Sequence, residues 1–549
     1  MNKTTPPADD AQAPRRVGVI RSSMIYAALT LVSRFAGLAR DLVITAKLGA
    51  SLTIAADAYY TALTFPNLFR RIFAEGAFAA AFVPTYAGKL EGDGAAEADR
   101  FASDALATVA AAAVAVTIVV QLAMPWLMYL YSPGFVSDPA KFKLAIVLTQ
   151  ITMPYLPCMV IAALFSGILT ARGRFIIYGL YPTLLNICML AAVLPQRDPV
   201  QAAWWASGGV IVAGVSQAAL CWWGARRTGA RIRLVWPKLN PEMKALAKLA
   251  LPAAFANSAV QINIFVSAIL ASQIPGMRAW LNVAERFYQL PLSLVGTAIG
   301  VALLPRLAQA FRRGDHEDAQ AATDQGIVFA LALSLPAAAA LVAMPGYLVD
   351  GLFARGAFTH YDASASALIL LNYGWGLPAF VLVKILQPAF FARRDTATPM
   401  RYSLISVGIN IGLGVLLFYT IGFQGTAMAT SAATWVTVLQ MGFRLRRDGA
   451  YTPSARAWSK MARVMAASAG MGVILAVASH FRAEIEAPFG GARVLGLGAK
   501  EFCVLAVAAA GAALYPALLF AFGGVTLTEV KTAFRRGKGA AAPTVSDLP

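Results

Sequence analysis

Charged residues are scarce in this sequence. Only 13% of its 549 residues are charged, 58% are hydrophobic and the mean hydropathy is +0.63, whereas about a quarter of the residues in a typical soluble domain are charged. Apolar runs recur along most of the chain, each long enough to cross a hydrocarbon core of about 30 Å. This composition excludes a water-soluble globular protein and predicts an all-α polytopic membrane protein.

Cysteine and histidine are too few and too scattered for a disulfide framework or a metal centre. The four cysteines lie in apolar stretches without a C-x-x-C pair, and the three histidines are far apart in the chain. The sequence also lacks a P-loop, an H-E-x-x-H motif and a G-x-S-x-G motif. We therefore predict no catalytic residue, no cofactor and no metal site.

The formal net charge of +19 is what the loops of a membrane protein would produce. In a membrane protein Arg and Lys collect in the cytoplasmic loops, so this excess does not predict nucleic-acid binding. With a cytoplasmic N-terminus, the inside loops would hold most of the basic residues, near 172–174, 226–248, 306–313, 393–401, 444–456 and 531–538. We therefore predict that both termini are cytoplasmic.

The hydrophobic segments predict about fourteen transmembrane helices. They lie near 22–46, 55–87, 104–131, 144–170, 175–195, 201–225, 243–271, 279–305, 326–352, 363–392, 399–419, 422–443, 457–480 and 498–523.

Two pairs of similar segments indicate an internal repeat. The segment AFVPTYA (81–87) resembles ALLPRLA (302–308), and LPCMVIAALFSGILTAR (156–172) aligns with LPAFVLVKILQPAFFAR (377–393); both pairs are offset by 221 residues. A repeat of six helices predicts two lobes related by an axis along the membrane normal. The predicted organisation is a disordered cytoplasmic tail (1–20), two six-helix lobes (21–230 and 240–447), two additional helices (455–525) and a cytoplasmic tail (526–549). Such duplication is typical of transporters, although a duplicated scaffold without transport is the alternative.

The first predicted helix carries Arg34, Arg40 and Asp41 in an otherwise apolar span. Each charge would cost at least about 2.5–3.5 kcal/mol if it faced lipid, so these side chains must face protein or water. Arg34 and Asp41 are seven positions apart and therefore within about 20° on the helix, with Gly37 beside them. A structural ion pair is the alternative interpretation, but two arginines against one acid leave a surplus positive charge.

The second and eighth predicted helices add further charges. Asp57, Arg70, Arg71 and Glu75 lie in the second helix, where Arg71 and Glu75 are four positions apart. Arg286, preceded by Glu285, lies in the eighth. Anchoring at the membrane interface is the alternative for Arg70 and Arg71. Because Arg offers a fork matched to phosphate or carboxylate oxygens, we predict a central anion-binding cavity rich in arginine.

Five motifs resemble the MurJ (MviN) family of bacterial lipid II flippases over about residues 20–520. They are SRFAGLARD (33–41), DAYYTALTFPNLFRRIFAEGAFAAAFVP (57–84), YPTLLNI (181–187), LPLSLVGTAIGVALLPRL (290–307) and FARRDTATP (391–399). The resemblance implies the fourteen-helix fold of the multidrug/oligosaccharidyl-lipid/polysaccharide (MOP) exporter superfamily.

The resemblance also implies a function and a site. The function is movement of undecaprenyl-pyrophosphoryl disaccharide pentapeptide, lipid II, from the cytoplasmic to the periplasmic leaflet of the bacterial inner membrane by alternating access. The chain would act as a monomer, with membrane lipids around the lipid tail, and the last two helices are associated in the family with a groove for that tail. The implied substrate-binding residues are Arg34, Arg40, Asp41, Asp57, Arg70, Arg71, Glu75 and Arg286.

Two other functions stay open. A flippase for another polyprenyl-linked oligosaccharide, or a drug exporter, would share this architecture, although an exporter of organic cations should have acidic and aromatic cavity residues. A membrane enzyme acting on lipid-linked sugars would need a catalytic cluster outside the membrane. The segment 353–362, with Arg355, His360 and Asp362, is the candidate for such a cluster.

Overall fold

The computed structural model describes residues 33–70, 78–313, 315–490 and 498–524. Within these ranges every regular element is a helix, and nine segments are long and apolar enough to cross a membrane. The prediction of an all-α polytopic membrane protein is confirmed. The number of fourteen helices stays a prediction.

The helices are numbered here in chain order. They are α1 (33–48), α2 (Ala55–Arg70), α3 (Phe78–Gly92), α4 (Ala95–Tyr131), α5 (Pro139–Thr152), α6 (Tyr155–Ala171), α7 (Phe175–Val193), α8 (Pro199–Arg227), α9 (Pro241–Ala271), α10 (Met277–Arg313), α11 (His316–Ala343), α12 (Pro345–Phe353), α13 (His360–Gly374), α14 (Leu377–Ala392), α15 (Ala397–Ile421), α16 (Gln424–Arg447), α17 (Ala455–His480), α18 (Arg482–Glu486) and α19 (Ala499–Ala521). Short 3₁₀ helices occupy Pro133–Ser137 and Ala487–Phe489.

The chain divides into two compact units. The first extends to Trp280 and also includes Arg355–Asp362, and the second comprises Leu281–Ala354 and the chain from Ala363 onward. Helix α10 therefore begins in the first unit and continues into the second. The lobe boundaries drawn from the sequence stay a prediction.

Helix boundaries repeat at the spacing found in the sequence. Helices α4 and α11 begin at Ala95 and His316, and α6 and α14 end at Ala171 and Ala392; both pairs are 221 residues apart. The helices α5 and α13 also begin 221 residues apart. The predicted segments 144–170 and 363–392 are each two helices, interrupted at 153–154 and 375–376. The duplicated sequence thus folds into duplicated local structure.

The turn after each repeated helix is also the same. Arg172 and Arg393 cap α6 and α14 with similar backbone angles, and the next residues, Gly173 and Arg394, have φ of 72° and 61°. A positive φ is uncommon for a residue other than glycine. The turn therefore adopts the left-handed conformation in both repeats, even where the second repeat has Arg in place of Gly.

Polar side chains fix the beginnings of several helices. Asp138, Asp198, Asn240 and Ser454 each precede a helix and accept a hydrogen bond from a backbone N–H of its first turn. Such caps satisfy donors that have no partner within the helix. The three that precede Pro139, Pro199 and Pro241 are followed by proline, whose fixed φ suits the first helical position.

The end of α1 and the turn after it contact two distant segments of the first unit. The backbone N–H of Ala357 donates to the carbonyl of Ala46 at 2.8 Å. Asp362 is fully buried and accepts from the Ser51 N–H at 3.1 Å and from the Trp280 indole at 2.9 Å. One carboxylate thus joins three separate segments of the chain.

Gly276 is required where the loop before α10 approaches Ser51. Its φ is +84°, and a Cβ there would lie 2.7 Å from the Ser51 nitrogen. Gly422 has the same φ but has open space around it. A side chain at either position would strain the backbone, but only a side chain at Gly276 would also overlap a neighbouring residue.

We predict that Gly276→Ala lowers the apparent Tm of the purified protein more than Gly422→Ala does. Both substitutions incur a left-handed backbone cost of about 1–2 kcal/mol. Only Gly276→Ala adds overlap with Ser51, which costs roughly another 1–3 kcal/mol. Thermal unfolding in one detergent measures both, and equal shifts would contradict the close approach.

Candidate functional site

Arg40 and Asp41 form an ion pair within the apolar helix α1. The Nε and Nη2 atoms of Arg40 donate to Oδ1 of Asp41 at 3.0 and 2.7 Å, and Asp41 is only 4% exposed. The guanidinium also places Nη1 4.0 Å from the Met189 sulfur on α7. The geometry holds a cation in a fixed direction inside the first unit.

Arg34 has a different setting on the same helix. Its side chain is exposed, and the ion pair of Asp41 is made with Arg40. Arg34 and Asp41 lie on the same face of α1, but this shared face does not predict that Asp41 pairs with Arg40. Helical angles describe where side chains leave the helix, and a long arginine side chain can still fold toward the next residue. Helix α1 thus presents one paired and one exposed arginine.

Asp57 belongs to an enclosed network at the start of α2. Its side chain is fully buried, and Oδ2 accepts from Lys141 Nζ at 3.0 Å and from the Gly276 N–H at 2.8 Å. Lys141 itself is 6% exposed. The carboxylate is therefore already engaged by a cation and a backbone donor.

Arg278 completes this network. It is 7% exposed, donates to Ser132 Oγ at 2.8 Å and to the Ala268 carbonyl at 2.9 Å, and also bonds the Thr61 hydroxyl. Its guanidinium lies 4.8 Å from the centre of the Tyr131 ring, a favourable cation–π distance. Neither Lys141 nor Arg278 stands out in the sequence as a site residue, because nothing local connects positions 57, 141 and 278.

The remaining predicted site residues are Arg70, Arg71, Glu75 and Arg286. Arg286 is partly buried in α10, in the second unit, and the neighbouring Glu285 accepts from Gln289 Nε2 at 3.4 Å. Arg70 ends α2, and its side chain lies outside the described residues, as do Arg71 and Glu75. Of the eight predicted residues, the structure brings Arg40 and Asp41 together. Their role in substrate binding stays a prediction.

The described part of the chain offers no group of three or more His, Cys, Asp or Glu residues suited to a metal ion. In the segment 353–362, Asp362 accepts from the Ser51 N–H and the Trp280 indole, and it also accepts from the hydroxyl and N–H of Thr359. The acid considered for an enzymatic cluster therefore has a structural use.

Comparisons with known proteins agree with one another. A family model described as "Lipid II flippase MurJ" matches residues 44–487. The chain is 37% identical over 531 residues to a probable lipid II flippase MurJ of Rhizobium tropici, covering 96% of this chain and 98% of that one. It is 34% identical over 453 residues to the lipid II flippase MurJ of Burkholderia cenocepacia, covering 80% and 86%.

Solved structures share the fold. A lipid II flippase MurJ in an inward closed conformation superposes with a TM-score of 0.73 at 22% identity, covering 91% of this chain and 98% of that one. An inward-facing multidrug resistance MATE family transporter of the MOP superfamily gives 0.61 at 14% identity, covering 77% and 97%. At these identities the likeness shows the fold alone.

We predict that Lys141→Met strongly destabilises the protein, because it leaves the Asp57 carboxylate buried without its ammonium partner. Breaking a buried ion pair costs about 3–5 kcal/mol. The double variant Lys141→Met/Asp57→Asn should recover much of the loss, since an amide oxygen still accepts from Gly276 without a buried charge. The apparent Tm of each variant measures these effects.

Lys89→Met is the matched control. Lys89 bonds Glu242 at 2.8 Å, which raises the pKa of Lys89, but the two side chains are 19% and 40% exposed. Removing such a pair should cost about 0–1 kcal/mol. If Lys141→Met and Lys89→Met shift the Tm equally, the Asp57 network does not stabilise the fold as argued.

Proposed function

The chain belongs to the lipid II flippase MurJ family, and from this premise we propose that it carries lipid II from the cytoplasmic to the periplasmic leaflet of the bacterial inner membrane. The pyrophosphate and sugars of this lipid cannot cross hydrocarbon unaided, because desolvating them is too costly. A polar cavity that opens alternately to each side would take the headgroup while the polyprenyl tail stays in lipid. We therefore propose that the protein is a transporter and not an enzyme.

The observation that carries this proposal is the arginine pair of α1. Arg40 is held by Asp41, and Arg34 is exposed one to two turns away on the same apolar helix. Guanidinium stays charged when it is desolvated and binds phosphate oxygens in a bidentate manner. These two residues, with Asp41, Arg70, Arg71, Glu75 and Arg286, are the proposed substrate-binding set. Asp57, which is fully buried and bonded to Lys141 and Gly276, is proposed to support this set by holding the helices in place.

Asp41 gives the proposed site a means of release. An arginine already paired with a carboxylate gains less from pyrophosphate than an unpaired one, so the headgroup is not held too tightly to leave. The proposal further places both termini in the cytoplasm, arranges the chain as two six-helix lobes and two extra helices, and has it act as a monomer.

A flippase for another polyprenyl-linked oligosaccharide is the competing function within this fold. Such a lipid shares the pyrophosphate and the tail, so the arginines would suit it equally. An exporter of organic cations fits less well, because Arg34, Arg40 and Arg286 would repel a cation.

Depletion of the protein from its host cells tests the function. We expect lipid II to accumulate in the cytoplasmic leaflet, and the wild-type gene to restore its export. Arg34→Ala, Arg40→Ala and Arg286→Ala should each abolish this rescue at near-normal membrane abundance, and Lys replacements should rescue poorly because an ammonium cannot make the bidentate contact. Leaflet-specific labelling of lipid II and immunoblotting of membranes provide the two measurements.

Two outcomes would overturn parts of this proposal. Accumulation of a different lipid-linked sugar would assign the protein to the competing substrate. Loss of the alanine variants from the membrane would instead favour the structural ion-pair interpretation of these arginines.

We predict that Asp41→Asn retains binding of lipid II and slows its transfer. Removing the carboxylate leaves Arg40 more available to pyrophosphate and less able to release it. Binding to the purified variant and leaflet exchange in cells separate the two steps. Binding lost together with thermal stability would show that Asp41 only balances charge for folding.

A further inference from the structure

Three polar contacts join α1 to α7 and to the turn that follows α7. Along α1 they are Ser33 O accepting from Asn186 Nδ2 at 3.0 Å, Arg40 Nη1 at 4.0 Å from Met189 Sδ, and Lys47 Nζ donating to Gln196 O at 2.5 Å. All three lie within the first unit.

These three contacts follow one face of α1, and we call the contact between α1 and the 186–196 segment the seam. Positions 33, 40 and 47 are seven residues apart, so they drift by only about 20° per step around α1. Their partners at 186, 189 and 196 ascend in the same order, which makes the two helices parallel along the seam. The face of α1 that bears Arg40 is therefore set by α7.

Asn186 bonds α1 at Ser33, the residue before Arg34. It is 5% exposed, and its amide packs against Gly37, where a Cβ would be 3.8 Å from both Oδ1 and Nδ2. Gly37 is one turn from Ser33 and one turn from Arg40. A Cβ at this distance would make ordinary van der Waals contact, so the Asn186 amide lies directly against α1.

Met189, one turn beyond Asn186 on α7, contacts Arg40 itself. Its sulfur lies 4.0 Å from Arg40 Nη1 and also 4.0 Å from the hydroxyl of Tyr59 on α2. Asn186 and Met189 therefore act on α1 from one face of α7.

We propose that Asn186 is a positioning residue for the substrate-binding arginines: its amide fixes the height and rotation of α1 against α7, and with them the directions in which Arg34 and Arg40 project from α1. This inference rests on the proposed function. It gives a role to the YPTLLNI motif, which the sequence analysis singled out without assigning one. Asn186 itself does not touch the substrate.

The physical basis is the sensitivity of a two-point contact to alignment. A bidentate bond requires correct distance and direction at both nitrogens, so a small shift of α1 weakens two arginine contacts at once. Displacements of about 1 Å from a distant mutation can cost about 10²-fold in function. A residue that only filled space would affect stability without changing this alignment.

The test compares Asn186→Leu with a matched control, Asn410→Leu. Leucine has a similar size but no amide. Asn410 is also buried, at 7% exposure, and its Oδ1 accepts from Thr430 at 3.2 Å between α15 and α16, in the second unit. We expect both variants to lower the apparent Tm, and only Asn186→Leu to weaken binding of lipid II, by about tenfold or more.

Binding is measured on full-length purified proteins at a temperature where all are folded, with wild type and Arg40→Gln as references. Asn186→Gln, which retains an amide donor, should bind lipid II more tightly than Asn186→Leu. Wild-type affinity in Asn186→Leu, or an equal loss in Asn410→Leu, would overturn the positioning role. Failure of the wild type itself to bind lipid II would overturn the proposed function instead.

Discussion

The structure depends on the high cost of placing charge among apolar helices. An ion that leaves water for a low-dielectric interior loses several kcal/mol of solvation, which only a well-placed partner restores. Two examples in the first unit are the Arg40–Asp41 pair and the network around Asp57. The two solutions differ in their surroundings, and this difference suggests different uses.

The network around Asp57 is closed on all sides by protein. Lys141 and the Gly276 N–H bond it from two distant parts of the chain, and Arg278, two residues beyond Gly276, bonds Thr61 on the same helix as Asp57. Such an arrangement holds loops and helices together. The Arg40–Asp41 pair lies instead on a helix that also exposes Arg34, and one of its contacts is a polarisable methionine sulfur. This pair therefore lies on the same helix as a second arginine of the proposed substrate-binding set.

The internal repeat accounts for helix boundaries that recur along the chain. Boundaries of α4 and α11, and of α6 and α14, recur at one offset, and so does the left-handed turn at Gly173 and Arg394. The charged contacts are not duplicated in this way. Arg172 pairs with Asp99, whereas its counterpart Arg393 pairs with Asp448, the residue that follows α16. Backbone architecture follows the duplication, while polar contacts have diverged between the copies.

The sequence alone determined the class of protein, the helical fold, the repeat and the family, because each depends on local hydrophobicity or on motifs of adjacent residues. It also located the charges of α1, since Arg and Asp stand out in an apolar span. The partners of the charge that begins α2 were decided only by tertiary structure. Asp57 bonds Lys141 and Gly276, which are 84 and 219 residues away in the chain. Helical angles relate residues on one helix, but they cannot place side chains that are separated by a hundred residues of chain; only the packing of the helices brings such residues together.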